Sequence, residues 1–326
     1  MIAVFSIFLL SLLVITAGAV IRASNLFVAV MLMGIFSLLI AVNFFLLDAA
    51  DVALTEAAVG AGISTVLFLG ALSVLDGTEK PRFSGRKTAL VSILIAGLAM
   101  GYATLYEPSF GDPSAPAHQH LTPWFMQTTA EQVDIPNVIT AILGSFRGYD
   151  TLGEVFVVLV AGIGVLFLLG NQSGAQPNSA RASSESLKHY LIPRMVGRLL
   201  IPFIILFGLY VQFHGEYGPG GGFQAGALIA AGMILYTLLE GQDRALAVLT
   251  PKFLRVLMAS GALLYAGVGV VGLLKGGYFL DYSVLAENPA TAQQIGIITI
   301  ELGVGMTVTG VLLSIFHAFA ARGKQA

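Results

Sequence analysis

Cysteine is absent from this chain, and charged residues are scarce. Without cysteine there are no disulfides, thiolate metal sites, cysteine-ligated iron–sulfur clusters or cysteine nucleophiles, so we expect neither redox chemistry nor a cofactor on the chain itself. Only 10% of the 326 residues are charged, the net charge is −2, and there is no basic tract. This composition argues against nucleic acid as a partner.

Apolar residues fill the space that charge leaves. They make up 56% of the chain, and the mean hydropathy of +0.87 is too high for a soluble domain of this length. Nine apolar runs are long enough to cross roughly 30 Å of hydrocarbon as helices. They lie at about 2–21, 26–47, 52–75, 88–105, 152–170, 195–213, 224–240, 254–274 and 293–318. The sequence therefore predicts an all-α integral membrane protein with about nine transmembrane helices.

Lysine and arginine are unevenly distributed over the loops between these runs. All 16 except Arg147 and Lys275 lie in or beside one set of alternating loops or the C-terminal end. Because cytoplasmic loops are enriched in these residues, the pattern predicts an N-terminus outside and a cytoplasmic C-terminus.

Two polar segments, 76–87 and 171–190, divide the apolar runs into groups of three, two and four. We predict a three-helix module at 1–79, a two-helix module with a long outer loop at 80–170, a flexible linker at 171–193 and a four-helix module at 194–326. Within the long outer loop, we expect the segment around 135–146 to be a short helix on the membrane surface.

Three glutamates, Glu56, Glu154 and Glu301, lie inside predicted spans, where an ionisable group is costly and marks a pathway, a partner or a binding site. Two of them head strips of small or hydroxylated residues at i+4 and i+8, which admit either a close helix or water. These strips are Gly60 and Ser64 after Glu56, and Gly305 and Thr309 after Glu301. Each carboxyl serves either an ion or proton relay or only the assembly of the helices.

The outer end of the fifth predicted span carries Arg147, Asp150 and Glu154, spaced so that all three share one helix face. The spacing favours an ion pair between Arg147 and Asp150. The alternative is a funnel that admits cations.

Gly218, Pro219, Gly220, Gly221 and Gly222 form a glycine-rich stretch between the sixth and seventh predicted spans. It lacks the Gly-Lys-Ser/Thr ending of a phosphate-binding loop and follows no strand. Glycine permits positive φ and close backbone approach, so we predict a tight turn packed against neighbouring subunits. The flanking His214 and Glu216 are candidates to bind a proton or a cation.

Three motifs resemble the Mrp (Mnh) multisubunit sodium/proton antiporter family. The stretch from His214 to Gly226, followed by predicted spans, is similar to the B subunit. The stretches Asp51 to Gly62 and Asn137 to Glu154 resemble consecutive modules at the C-terminal end of the large A subunit. Similar small subunits occur in the membrane arms of hydrogenase-type respiratory complexes.

The resemblance implies a non-enzymatic subunit of a large assembly in a prokaryotic cell membrane, with antiporter-like membrane subunits, Na⁺, H⁺ and lipid as its partners. It implies an ion pathway through Glu56 and Glu154, with Asp51 beside them and a Na⁺ site at Glu56 or Glu154. Two alternatives stay open. One is a membrane-arm component of a ferredoxin-linked hydrogenase-type complex, and the other is a structural adaptor that carries no ions.

Overall fold

The computed structural model describes residues 2–73, 75, 78, 85–109, 111–170 and 190–322. The predicted linker at 171–193 lies mostly outside the described residues, as does the predicted module boundary at 79–80. Within the described part of the chain, nine helices are long and apolar enough to cross a membrane, which confirms the predicted number of spans. The predicted orientation of the termini stays a prediction.

The nine helices are here numbered in chain order. They are α1 (Ile2–Arg22), α2 (Leu26–Leu46), α3 (Ala50–Leu72), α4 (Arg86–Thr104), α5 (Gly148–Gly170), α6 (Leu191–His214), α7 (Gly222–Glu240), α8 (Pro251–Leu274) and α9 (Pro289–Arg322). The middle of α3, Glu56–Ser64, is π-helical. Helices are expected here because a segment in lipid must satisfy its backbone hydrogen bonds internally.

Short helices fill the connections. The region between α4 and α5 contains Ala117–Leu121, Thr122–Thr128, Thr129–Val133, Val138–Ala141 and Ile142–Phe146, of which the first, third and fifth are π-helical. A helix at Gln242–Val248 links α7 to α8, and a 3₁₀ turn at Tyr282–Val284 precedes α9. Among the described residues the β-structure consists of one isolated bridge, between Asn25 and Thr78.

Helix α9 lies at the centre and packs against α5, α7 and α8. Glycines permit this packing: a Cβ at Gly222 would overlap the backbone carbonyl of Glu301, and one at Gly226 would lie 2.9 Å from the carbonyl oxygen of Gly305. On the opposite side, a Cβ at Gly261 would lie 2.7 Å from the backbone nitrogen of Thr307. Small residues therefore bring three backbones together, as is usual between membrane helices.

An ion cluster joins α6 to α7 at the end where α7 finishes. Glu240 is 3% exposed and accepts hydrogen bonds from Arg194 (3.1 Å), Arg198 (2.6 Å) and Arg244 (2.6 Å). The three guanidiniums supply the charge that a buried carboxylate needs. The cluster therefore fixes the relative position of the two helices.

The segment around 135–146 is partly buried in the protein. Thr140 and Ala141 are 4% and 0% exposed, and the turn at 142–146 packs against α9. The predicted position of this segment on the membrane surface stays a prediction. Ile135 and Ala141 face protein, whereas Ile139 and Leu143 are 42% and 46% exposed. In contrast, every side chain of α4 from Lys87 to Thr104 is exposed.

Candidate functional site

A cavity of about 300 Å³ lies where the N-terminal ends of α3, α5 and α7 meet the interior of α9. Asp51, Glu154 and Glu301 line it, together with the backbone of Gly220 and Gly221. All three carboxylates are predicted ion-pathway candidates: Glu154 and Glu301 from their positions inside spans, and Asp51 from its place beside Glu56. The fold brings them to one cavity, which each of the three predicted helical modules helps to line.

Asn137 connects those modules. Its side chain is 8% exposed, and its amide nitrogen donates to Asp51 Oδ1 (3.1 Å), to the carbonyl of Gly215 (3.0 Å) and to the carbonyl of Gly218 (2.9 Å). Its Oδ1 accepts the backbone N–H of Ile139 at 3.0 Å and caps the helix that starts at Val138. Since Oδ1 is engaged as an acceptor, the amide group must point its donors at Asp51 and the two carbonyls.

The glycine loop (residues 215–221) turns tightly between α6 and α7, and its predicted contact with neighbouring subunits stays a prediction. Gly221 has φ +124°, a backbone conformation that favours glycine. A Cβ at Gly220 would lie 2.6 Å from the carbonyl oxygen of Val211. Thr140 Oγ1 donates to the carbonyl of Gly215 at 2.6 Å, which holds the loop against the segment that follows Asn137. The loop thus packs within its own chain.

Glu301 lies directly under this loop. A Cβ at Gly215 would be 3.1 Å from Glu301 Oε2, and a Cβ at Gly221 would be 3.2 Å from Oε1. Two acidic residues, Glu216 on the loop and Asp51 on α3, lie near the Glu301 carboxylate. The strip after Glu301 faces a close helix, because Thr309 Oγ1 donates to the carbonyl of Gly226 on α7 at 3.2 Å.

Glu56 lies outside this set of cavity-lining residues. Its carboxylate folds over Gly60, where a Cβ would collide with it, and a Cβ there would also lie 3.0 Å from Ser37 Oγ on α2. The strip headed by Glu56 therefore faces α2. The preceding residue, Thr55, does line the cavity and accepts a hydrogen bond from Gln224 Nε2 at 2.6 Å. Glu56 is thus adjacent along the chain to the wall of the cavity.

The predicted ion pair at the start of α5 is present. Arg147 Nε donates to Asp150 Oδ2 at 2.6 Å, and both side chains are more than half exposed. Two buried tyrosines fix the backbone beside it: Tyr265 donates to the carbonyl of Gly148 at 2.8 Å, and Tyr282 to that of Gly144 at 2.9 Å. These contacts set the direction in which α5 begins and hence where its carboxylates point.

Glu216 lies within the glycine loop, and His214 directly precedes the loop. Glu216 is 9% exposed, and its Oε1 is buried without a hydrogen-bond partner. Burial raises the pKa of Glu216 above its ordinary value of 4.5. His214 stacks on Tyr210, with ring centroids 4.7 Å apart. Glu216 is therefore the more confined of the two titratable groups.

A metal ion bound to the described part of the chain would have few carboxylate ligands. Among the described residues, no group of three or more His, Cys, Asp and Glu side chains is arranged to hold a metal ion. A cation in the cavity would therefore need neutral oxygens as well, and the backbone carbonyls and the amide of Gln224 are available there. The predicted Na⁺ site at Glu56 or Glu154 stays a prediction.

Sequence reasoning missed Asn137 and Gln224 as site residues. An asparagine before an apolar helical segment is a recognised signal for a helix N-cap, so the local role of Asn137 was detectable. Its contacts to Asp51 and Gly215, which are 86 and 78 residues away, leave no local pattern.

Three family models match consecutive parts of the chain. Residues 192–314 match a domain related to the MnhB subunit of the Na⁺/H⁺ antiporter. Residues 11–76 match the MbhD family, the D subunit of MBH. Residues 86–185 match the MbhE family, the E subunit of MBH.

Two individual relatives and one solved structure also match this chain to antiporter subunits. The chain is 32% identical over 128 residues to a putative antiporter subunit mnhB2 of Staphylococcus aureus (strain Newman), covering 38% of this chain and 90% of that protein. It is 26% identical over 330 residues to a probable A/B subunit of a K⁺/H⁺ antiporter from Rhizobium meliloti (strain 1021), covering 91% of this chain and 32% of that one. It superimposes on a chain of the Mrp complex from Dietzia sp. DQ12-45-1b with a TM-score of 0.76 and 26% identity, covering 96% of this chain and 34% of that chain.

The fold and the cavity define a multi-pass α-helical membrane protein in which carboxylates from distant helices meet under a glycine-rich turn. With the matches above, the class becomes specific: the chain belongs to the Mrp/Mnh-type antiporter subunit family. It is a multi-pass protein of the plasma membrane. It spans about a third of the length of the Rhizobium protein and of the Dietzia chain.

Proposed function

We propose that this chain is a subunit of a multisubunit cation/proton antiporter and contributes both to the translocation of Na⁺ or H⁺ and to the assembly of the complex. Its partners are other membrane subunits, including antiporter-like ones. The observation that carries the proposal is the cavity in which Asp51, Glu154 and Glu301 come together. Three carboxylates at one cavity in a membrane protein are costly unless they handle cations.

The chemistry requires only that a carboxylate exchanges a proton for an alkali cation. Glu154, at the start of α5, receives the ion near the Arg147–Asp150 pair, and Asp51 and Glu301 pass it beneath the glycine loop. Glu56 then continues the path along the π-helical part of α3, a type of local irregularity that is frequent at functional sites. No step needs a nucleophile or a cofactor, so we propose that the chain has no catalytic site.

The test is the replacement of Glu301 by Gln in the intact complex, reconstituted into vesicles with an imposed pH gradient. We expect loss of cation-driven proton movement with unchanged co-purification of the partner subunits. Glu287→Gln is the matched control, because Glu287 is exposed and lies in the loop just before α9. Normal transport by an assembled Glu301→Gln complex would favour the adaptor role instead.

Glu56→Gln tests the rest of the path in the same assay. Because Glu56 does not line the cavity, we expect this variant to reduce transport without changing cation binding in the cavity. Equal loss of binding and transport would place Glu56 in the cavity site itself.

The second candidate is a membrane-arm component of a redox-driven complex, which the matches to the MbhD and MbhE families favour for residues 11–76 and 86–185. Mass spectrometry of the native detergent-solubilised complex, purified through this chain, distinguishes the two. Antiporter-like membrane subunits alone support the antiporter. Co-purified iron–sulfur or hydrogenase subunits would assign the chain to the redox-driven assembly.

A further inference from the structure

One carboxylate oxygen near the cavity has no partner. Oε1 of Glu216 is buried without a hydrogen bond, and the whole residue is 9% exposed. The residue is held in place through its backbone, because the N–H of Asn137 donates to the Glu216 carbonyl at 3.0 Å. A buried carboxylate without donors is unfavourable when it is ionised, so this side chain needs a positive charge beside it.

The groups facing Glu216 do not provide that charge as fixed cations. Glu301 on α9 is its acidic neighbour, and the Glu301 carboxylate lies against the loop backbone at Gly215 and Gly221. On its own segment, His214 is stacked on Tyr210. On α5, Arg147 is bonded to Asp150 at 2.6 Å. Like charges that share a poorly hydrated site cannot all be ionised at once.

We propose that Glu216 and Glu301 together form a binding site for one exchangeable monovalent charge, which is either a proton or an alkali cation. The backbone of the glycine loop and the amide of Gln224 supply neutral oxygens to the alkali cation, and Asn137 holds the loop in position. This inference rests on the proposed function, since it names the site at which the exchanged ions compete. It differs from the path above by including Glu216, which lies on the loop.

The experiment uses dicyclohexylcarbodiimide, which labels protonated carboxyls in apolar surroundings, on the intact complex purified through this chain. In choline chloride, with no alkali cation, we expect mass spectrometry to find the label on Glu216 or Glu301 and not on the exposed Glu287. NaCl or KCl should reduce the labelling in a concentration-dependent way. Absence of labelling in choline, or labelling that neither salt reduces, overturns the proposal.

Reciprocal variants test whether the two carboxylates form one site. In Glu216→Gln, labelling of Glu301 should need roughly tenfold more salt for the same protection, a typical size for coupling between bound charges. In Glu301→Gln, the same shift is expected at Glu216, whereas Glu287→Gln should protect like the unsubstituted complex. Unchanged protection in both assembled variants would show that the two residues act separately.

Transport by the same preparations separates this proposal from the proposed function. Salt protection without cation/proton exchange in vesicles would leave the binding site in place and refute the antiporter role. Exchange that persists without any salt protection would retain the antiporter role and refute the shared site.

Discussion

Replacing Asn137 by Ala should destabilise the chain far more than the loss of an ordinary helix cap. The change removes the cap of the Val138 helix, which costs about 1 kcal/mol. It also removes the donor to the part-buried Gly218 carbonyl, and an acceptor left without a partner away from water costs roughly 1–3 kcal/mol. Gly215 keeps the hydroxyl of Thr140, and Asp51 faces the cavity, so we add nothing for them. The expected total is about 2–4 kcal/mol.

Two variants separate the capping role of Asn137 from its hydrogen bonds to the other modules. Asn288 caps the start of α9 through Oδ1, which accepts the N–H of Ala290 at 2.9 Å, but its side chain is exposed. Asn288→Ala should therefore cost only about 1 kcal/mol. Asn137→Asp keeps a good capping group but removes the amide donors and places a second carboxylate beside Asp51. We expect it to be at least as damaging as Asn137→Ala.

The assay is unfolding of the purified chain in mixed micelles by titration with sodium dodecyl sulfate, followed by helical circular dichroism. The reasoning is refuted if Asn137→Ala costs no more than Asn288→Ala, or if Asn137→Asp unfolds like the unsubstituted chain. Either result would mean that the amide does not bear on stability across the modules.

Three further predictions use the same unfolding assay. Gly222→Ala should cost about 3 kcal/mol or more, because its Cβ would overlap α9. The control is Gly267→Ala, which should be neutral or stabilising because a Cβ there meets open space. Equal losses of stability in the two variants would contradict the packing argument. Glu240→Gln should lower the stability by about 2 kcal/mol. This is less than the loss for a fully buried ion pair, because two of the three arginines that contact Glu240 are more than half exposed. An unchanged stability would show that the ion cluster does not stabilise the chain. The raised pKa of Glu216 means that the folded chain binds this proton more tightly, so its contribution to stability is complete below pH 4.5 and is lost as pH rises through the folded pKa. Glu216→Gln should make that fall with pH shallower, and an unchanged slope would exclude Glu216 as its source.

The helices could be predicted well because lipid imposes a simple rule. A segment that crosses hydrocarbon must be apolar, about 20 residues long and helical, and the nine predicted runs follow it. The ends were less accurate: α9 extends from Pro289 to Arg322, beyond the predicted 293–318. Hydropathy detects where the lipid ends, but a helix continues for as long as its backbone bonds and its neighbours support it.

The site was predicted by residue type but not by arrangement. Glu154 and Glu301 were candidates because charge inside a span is rare, and Asp51 was a candidate within the A-subunit-like motif. Their meeting at one cavity depends on Asn137 and on the packing of α7 against α9, which are contacts between distant parts of the sequence. Glu56 shows the limit of the local argument, because its strip of small residues allowed either a close helix or water, and only the fold places α2 beside it.

The hydrogen bonds of Asn137 to the first and last modules have a consequence for how such chains can be divided. The first module contributes the Asp51 oxygen and the last contributes the carbonyls of Gly215 and Gly218, so the hydrogen bonds that join them do not depend on peptide continuity. Two polypeptides cut within 171–189 should still find each other in the membrane. A gene encoding this chain can therefore be fused or split between its modules while the same three surfaces continue to meet.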